Sequence, residues 1–279
     1  MNVPIAFFNI ARTQVDREQV RKWLDHLEAY GFEIPAEGII SDPALLVALA
    51  AKRCYLSFEP GLNPNVTKVR ADLVEYLDNI LASGHGSVLE HAVYTFAIEG
   101  VSRVFTGEMN RHRAGWAISE GSMRYIRMDR DIPWWLPTSL VPNESTTQFT
   151  KDDLDLEDRK TRSRVVFGRA FCQMAENYAD LLDIWKMDEG NKNFHYKKRV
   201  TSCLRRIIGM GVATGGVWTG NLRALRHVIA LRANEPTAEE EIFHVFSRIG
   251  AYMIEQETSL FGDFQTDDCG SLVPKYKKV

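Results

Sequence analysis

The stretch His91-Ala92-Val93-Tyr94-Thr95-Phe96-Ala97-Ile98-Glu99 decides the fold class. Side chains alternate along an extended chain, so Val93, Thr95 and Ala97 share one face and Tyr94, Phe96 and Ile98 the other. β-branched and aromatic residues dominate, which predicts a strand with apolar character on both faces. Its surroundings read mostly as helix. Upstream, Val20, Trp23, Leu24 and Leu27 recur at helical spacing within 14–30, and Gly31 and Pro35 end that helix. Asp42-Pro43 opens a second helix, with aspartate as N-cap and proline in the first turn. Asn65 is a candidate cap for a third, running to about Ser83.

Downstream, residues 101–112 read as helix with Arg111 to Arg113 at its end, and Ser122 to Met128 as a further strand. Residues 130–160 are rich in Pro, Asn, Thr and Asp and read as a surface loop. Val166, Phe167, Ala170, Phe171, Met174, Tyr178 and Leu181 stripe a long helix over 160–186. A short strand is expected over 212–219, broken by Gly215-Gly216. Helices over 221–233 and 236–258 follow, separated by Glu235-Pro236. The sum is an α+β protein, helix-rich, with a small sheet in a single fold. Residues 1–41 form an N-terminal helical extension to a main unit spanning 42–279.

Composition bounds the function. The 279 residues carry 34 Lys+Arg against 37 Asp+Glu, a net charge of −3. No global attraction to nucleic acid follows, and no DNA- or RNA-binding signature is present, so no nucleic-acid partner is expected. Hydrophobic residues make up 45%, ordinary for a globular protein. Cys54, Cys172, Cys203 and Cys269 form no CxxC pair, which disfavours a zinc knuckle or redox dithiol and fits free thiols in a reducing compartment. Met1-Asn2-Val3-Pro4 does not begin a secretory signal, and no stretch approaches the ~20 apolar residues that cross a bilayer. No membrane partner and a cytoplasmic location are expected.

Cationic and donor residues cluster at separate points. Arg111-His112-Arg113 closes a helix, and arginine forks suit phosphates because they bond through two N–H groups at once. Positive charge complementing a helix C-terminus is the plainer alternative. Ser119, Glu120, Gly121, Ser122, Met123 and Arg124 follow, offering hydroxyl, backbone and guanidinium donors and one carboxylate acceptor. Asn221, Arg223, Arg226, His227 and Arg232 come much later, with Arg223 and His227 on one helical face. Arg226 points elsewhere and reads as part of a solvated basic face. Arg205 and Arg206 add a further patch. His85 and His91 are six apart with Gly86 between them, which does not match a zinc-binding HExxH helix, so no metal site is expected.

Taken together, these blocks resemble the flavin-dependent thymidylate synthases. The resemblance rests on His85–His91 with the strand through Phe96, on Arg111-His112-Arg113, on Ser119–Tyr125 and on Trp218–Ala233, and it spans roughly residues 42–262. It implies C5 methylation of dUMP to dTMP, with FAD as cofactor and methylenetetrahydrofolate and NADPH as co-substrates. It also implies a homotetramer with active sites at subunit interfaces. Cofactor-binding residues are then His85, Ser87, Arg111, His112, Arg113, Glu120, Asn221, Arg223 and His227. Substrate-binding residues are Glu108, Arg111, Glu120, Gly121, Ser122, Met123, Arg124, Arg206 and Arg232. Arg232 takes the catalytic role, stabilising charge that develops on the pyrimidine.

Departures from the family pattern point to variation at the substrate. The family places seven residues between the RHR triad and the loop serine, whereas here eight intervene, Ala114 to Gly121, bringing in Trp116 near the site. Ser119 stands where asparagine is common. Glu108 stands where the family has a glutamine that touches the nucleotide. A carboxylate only accepts hydrogen bonds, and acidic residues accept from ribose hydroxyls in dinucleotide sites. A UMP C5-methylase, acting on UMP beside or instead of dUMP, is therefore an alternative reading. A catalytically altered flavin- or nucleotide-binding homologue is another.

Overall fold

The structure, a computed structural model, describes residues 3–128, 132–141, 155–190, 193–234 and 237–279. Its centre is a four-stranded antiparallel sheet in the order β1-β2-β4-β3. The strands are β1 (Ala6–Arg12), β2 (Val93–Ser102), β3 (Trp116–Glu120) and β4 (Ala213–Asn221). The helices are α1 (Arg17–His26), α2 (Asp42–Tyr55), α3 (Leu73–Ala82), α4 (Arg103–Met109), α5 (Leu156–Ile184), α6 (Phe194–Leu204), α7 (Leu222–Arg232), α8 (Glu240–Gln256) and α9 (Thr258–Phe261). A small hairpin, β5 (Phe264–Thr266) with β6 (Leu272–Pro274), closes the chain. The architecture is the expected helix-rich α+β fold with a small sheet.

β2 is the strand that its alternation predicts, but its two faces differ. Tyr94, Phe96 and Ile98 are at most 1% exposed, and with Trp218 they face α2, α4, α7 and α8 across one continuous core. Thr95 and Ala97 lie on the opposite face and stay partly exposed, beside the exposed Phe8, Ile10 and Val217. A second, smaller core joins α5 and α6 to Met128, Ile132 and Val212. Among the described residues no helix is long and apolar enough to cross a membrane. Cys54, Cys172, Cys203 and Cys269 are unpaired and exposed.

Several local expectations need correction. The segment before residue 42, expected to be helical, also supplies β1, whose partner strand lies some ninety residues later. α1 is shorter than 14–30. Ser41, not Asp42, caps α2; Asp42 instead accepts from the Val15 amide and the Arg17 guanidinium, tying α1 to α2. Asp72, not Asn65, caps α3, accepting from the Val74 and Glu75 amides. The strand expected over Ser122 to Met128 is a turn, and the strand lies earlier, at β3. Gly215-Gly216 does not break β4, because β2 and β3 pair with it on both sides. A Cβ on Gly216 would meet the Trp218 ring at 2.9 Å, so glycine there permits close packing. The loop expected over 130–160 lies partly outside the described residues, as does the Glu235-Pro236 break; within it, Trp134 bridges to Val212.

Candidate active site

α7 is the spine of the site. Asn221 caps it, its side chain accepting from the Ala224 amide at 2.8 Å. The Asn221 amide in turn donates to the Gly115 carbonyl, 3.0 Å away. Gly115 has φ +76°, and a Cβ there would lie 2.6 Å from the Asn221 side chain and 2.7 Å from Ala224. Only glycine allows this contact, which docks the turn after Arg113 onto the start of α7. Trp116, expected near the site, places its ring over Gly220 and packs on the core side of the sheet.

In the first turn of α7, the Arg223 guanidinium pairs with Glu90 at 2.7 Å and its Nε donates to the Val279 carbonyl. Glu90 sits in the 3-10 turn Gly86–His91, which also carries Ser87, and His85 precedes it. His85 stacks on Tyr55, and both His85 and Ser87 are exposed. Four residues after Arg223, the His227 ring stands edge-on to His112, 6.3 Å between centroids. At the end of α7, Arg232 Nε donates to His112 Nε2 at 3.0 Å and Arg232 Nη2 pairs with Glu108 at 2.9 Å. Burial, then the Arg232 and His227 charges, lower the His112 pKa below the ordinary imidazole value. Arg111 and Arg113 are exposed, and among the described residues neither pairs with a carboxylate. The structure therefore brings two turns against α7: the turn with His85 and Ser87 meets Arg223 through Glu90, and the turn with Arg111, His112 and Arg113 meets Asn221 through Gly115 and His227 and Arg232 through His112, with Glu108 paired to Arg232.

All the remaining predicted residues but Arg124 line a cleft apart from α7. Glu120, Gly121, Ser122, Met123 and Arg206 face Arg103 and Arg205 around a concavity of about 510 Å³. Alternation in β3 separates Ser119, on the outer face, from Glu120, on the core side. Glu120 pairs with Arg103 and accepts from Asn110 Nδ2 at 2.8 Å. Arg103 also donates to the Gly121 carbonyl, 2.6 Å away. Asn110 precedes Arg111, so it ties the Glu120 cleft to the α7 cluster. Arg124 Nε reaches the Ser202 hydroxyl at 3.1 Å, and Arg206 donates to the Ser202 carbonyl at 2.7 Å. Burial, then the Arg205 charge, lower the Arg103 pKa. Three arginines around one cleft that already holds one carboxylate leave net positive potential, which suits a phosphate.

Arg226 corrects a prediction. It is 4% exposed, not solvated, and forms a two-bond ion pair with Asp263 at 2.6 and 2.9 Å. Its guanidinium lies over Phe261 and Phe264. Glu90, Arg103 and Asn110 are the site residues that the sequence reading leaves unassigned. Glu90 lies inside the His85–His91 block and could have been found there; nothing local marks Arg103, whose partner is seventeen residues away. Among the described residues no cluster of His, Cys, Asp and Glu could hold a metal ion.

The model of the thymidylate synthase complementing protein family matches residues 39–256. A flavin-dependent thymidylate synthase from Corynebacterium aurimucosum is 31% identical over 224 residues, 80% of this chain and 81% of that one. Another from Mycobacteroides abscessus is 32% identical over 219 residues, 78% of each chain. Among solved structures, the UMP/dUMP methylase PolB from Streptomyces cacaoi bound with 5-Br UMP superposes with a TM-score of 0.60 at 18% identity. It covers 93% of this chain and 92% of its own. Its complex with 5-Br dUMP gives a TM-score of 0.61, covering 94% of each chain.

Proposed function

The chain belongs to the thymidylate synthase complementing protein family, that of the flavin-dependent thymidylate synthases, and from that premise we propose that it methylates C5 of a uridine monophosphate. The observation that carries this reading is the convergence on α7 of the Arg111–Arg113 turn, the His85–Glu90 turn and Arg232. The reference substrate is dUMP, converted to dTMP with methylenetetrahydrofolate as carbon donor and NADPH as reductant. The donor set fits FAD: among the described residues Arg111 and Arg113 have no carboxylate partner, while His85, Ser87 and Arg223 offer further donors around the start of α7. These residues, with His112, Asn221, His227 and Glu120, would hold the cofactor, and Arg111 would also reach the nucleotide. When bound, the flavin supplies the redox chemistry of the reaction.

The chain's own residues bind and polarise. Gly121, Ser122, Met123 and Arg206 seat the nucleotide phosphate in the cationic cleft, with Arg124 nearby on the Ser202 hydroxyl. Arg103 and Asn110 hold the Glu120 carboxylate in place between the two clusters. Arg232 places a fixed positive charge where the pyrimidine becomes anionic during attack at C5. Exposed apolar residues on the outer sheet face and on α5 support a homotetramer, with sites completed by neighbouring subunits. The reading places the enzyme in the cytoplasm.

Glu108 supports a second reading, in which UMP is a substrate beside dUMP. The carboxylate stands next to Arg232 and can accept from a ribose 2′-hydroxyl, which an amide does less well. Release of tritium from C5-labelled dUMP and UMP, with methylenetetrahydrofolate and NADPH, tests both readings in one assay. Release from dUMP is expected, and release from UMP identifies a dual substrate. No release from either nucleotide overturns the enzyme assignment and leaves a flavin-binding homologue. Equal kcat/KM losses for the two nucleotides in Glu108→Gln would remove the 2′-hydroxyl explanation.

A further inference from the structure

Glu108, Arg232 and His112 form a chain whose donor and acceptor assignments are forced. A guanidinium has N–H donors and no acceptor. Arg232 Nε lies 3.0 Å from His112 Nε2, so Nε2 must offer a lone pair. A neutral imidazole with a lone pair on Nε2 carries its proton on Nδ1. The same guanidinium is held at its other end by Glu108, whose Oε2 lies 2.9 Å from Nη2. The Glu108 and Arg232 side chains are 32% and 21% exposed, so the pair is only partly screened by water.

We propose that Glu108 is a positioning residue that, through Arg232, fixes His112 as the neutral Nδ1-protonated tautomer, so that this histidine presents a hydrogen-bond donor to the ligand held by the Arg111–Arg113 turn. The proposal deepens the reading above, because it concerns the same site. Glu108 lies on α4, and Arg232 and His227 lie on α7. Arg111 and Arg113 flank the histidine in the chain, and Glu239, which caps α8, feels the Glu108 charge. The cations among these groups oppose a second proton on the imidazole, and Glu108 alone would favour it. The ion pair keeps Glu108 from acting as a free carboxylate beside His112, so the ring stays neutral. His112 is then a donor of fixed direction with no net charge. Without the anchor, Arg232 can swing away and both neutral tautomers become available.

The test is magic-angle-spinning NMR of the full chain labelled with 15N-histidine. The His112 signals are assigned by their loss in His112→Gln. Wild type is expected to show a protonated Nδ1 and a lone-pair Nε2 at pH 8. Glu108→Ala is expected to bring in the Nε2-protonated neutral form. Glu108→Gln keeps an amide oxygen that can accept from Arg232 and is expected to restore the wild-type pattern. A wild-type His112 protonated on Nε2, an alanine variant with unchanged tautomer, or a glutamine variant that matches alanine would each overturn the proposal. Because the readout needs no turnover, absence of methylation leaves this test standing, and a failed tautomer assignment leaves the methylation reading standing.

Discussion

Arg232 and Arg206 are both exposed enough to meet a ligand, but their surroundings give them different work. Arg232 is fixed at both ends, by Glu108 and by His112, so its charge needs no reorganisation when charge develops near it. Arg232→Ala is therefore expected to lower kcat by about 10²–10³-fold, with a smaller change in nucleotide KM, in steady-state assays. Among the described residues, Arg206 is held only by carbonyl groups at the end of α6, facing the cleft. Arg206→Ala should instead raise nucleotide KM roughly tenfold or more and leave kcat nearly intact, since a charge-assisted bond contributes about 1.5–3 kcal/mol to binding. Arg226 lies outside both roles. Asp263→Ala would strand its buried guanidinium and is expected to cost about 3–5 kcal/mol in urea unfolding. Helical spacing showed that Arg226 points away from Arg223, but it could not show that Asp263 waits on the far side.

Helix starts show how local chemistry is shared among several candidates. Asn65, Asp72, Ser41 and Asp42 all have capping side chains. The structure uses Asp72 and Ser41, and employs Asp42 to bind α1 instead. Asp72→Ala should destabilise by about 1 kcal/mol, whereas Asn65→Ala should stay within about 0.5 kcal/mol, by urea unfolding. β4 teaches the same lesson for strands. Gly215-Gly216 looks like a break in isolation, yet ladder bonds on both edges hold it extended. β3 was hidden because only five residues pair and the polar run after it looked equally strand-like. α7 was legible in its extent, 221–233 against the observed Leu222–Arg232, because helical spacing is a local property, whereas the burial of Arg226 on it was not.

At the scale of the whole molecule, two apolar surfaces stay exposed among the described residues. Phe8, Ile10 and Val217 lie exposed on the outer sheet face, and Val165, Val166 and Phe167 on α5, although the latter pattern reads as a core stripe. If these bury against further copies, wild type is expected to sediment as the proposed tetramer, and Val166→Glu with Phe167→Glu should lower the assembly mass seen by sedimentation velocity. A second global property comes from Glu241 on α8, which accepts from the Ser102 amide and hydroxyl at the start of α4. Burial pushes its carboxyl up to about 7 from an ordinary 4.5. The native state then binds more protons than the unfolded state between these values. Its stabilising contribution is full below about pH 4.5 and is lost as pH rises through about 7. Glu241→Gln should flatten that part of the stability profile, measured by thermal unfolding across the same pH window.

By itself the sequence determined the α+β class, β2, the long helices and the blocks that carry the chemistry. Those follow from periodicity, caps and residue type, which act over a few neighbouring positions. Tertiary structure alone decided which blocks meet. Gly115 docks one turn on Asn221, Asn110 joins the two clusters, and Glu108 reaches Arg232 across more than a hundred residues of chain. It also decided that Arg226 is buried and that β1 completes the sheet edge. Such contacts depend on chain closure over long loops, and no local propensity encodes which distant partner is met.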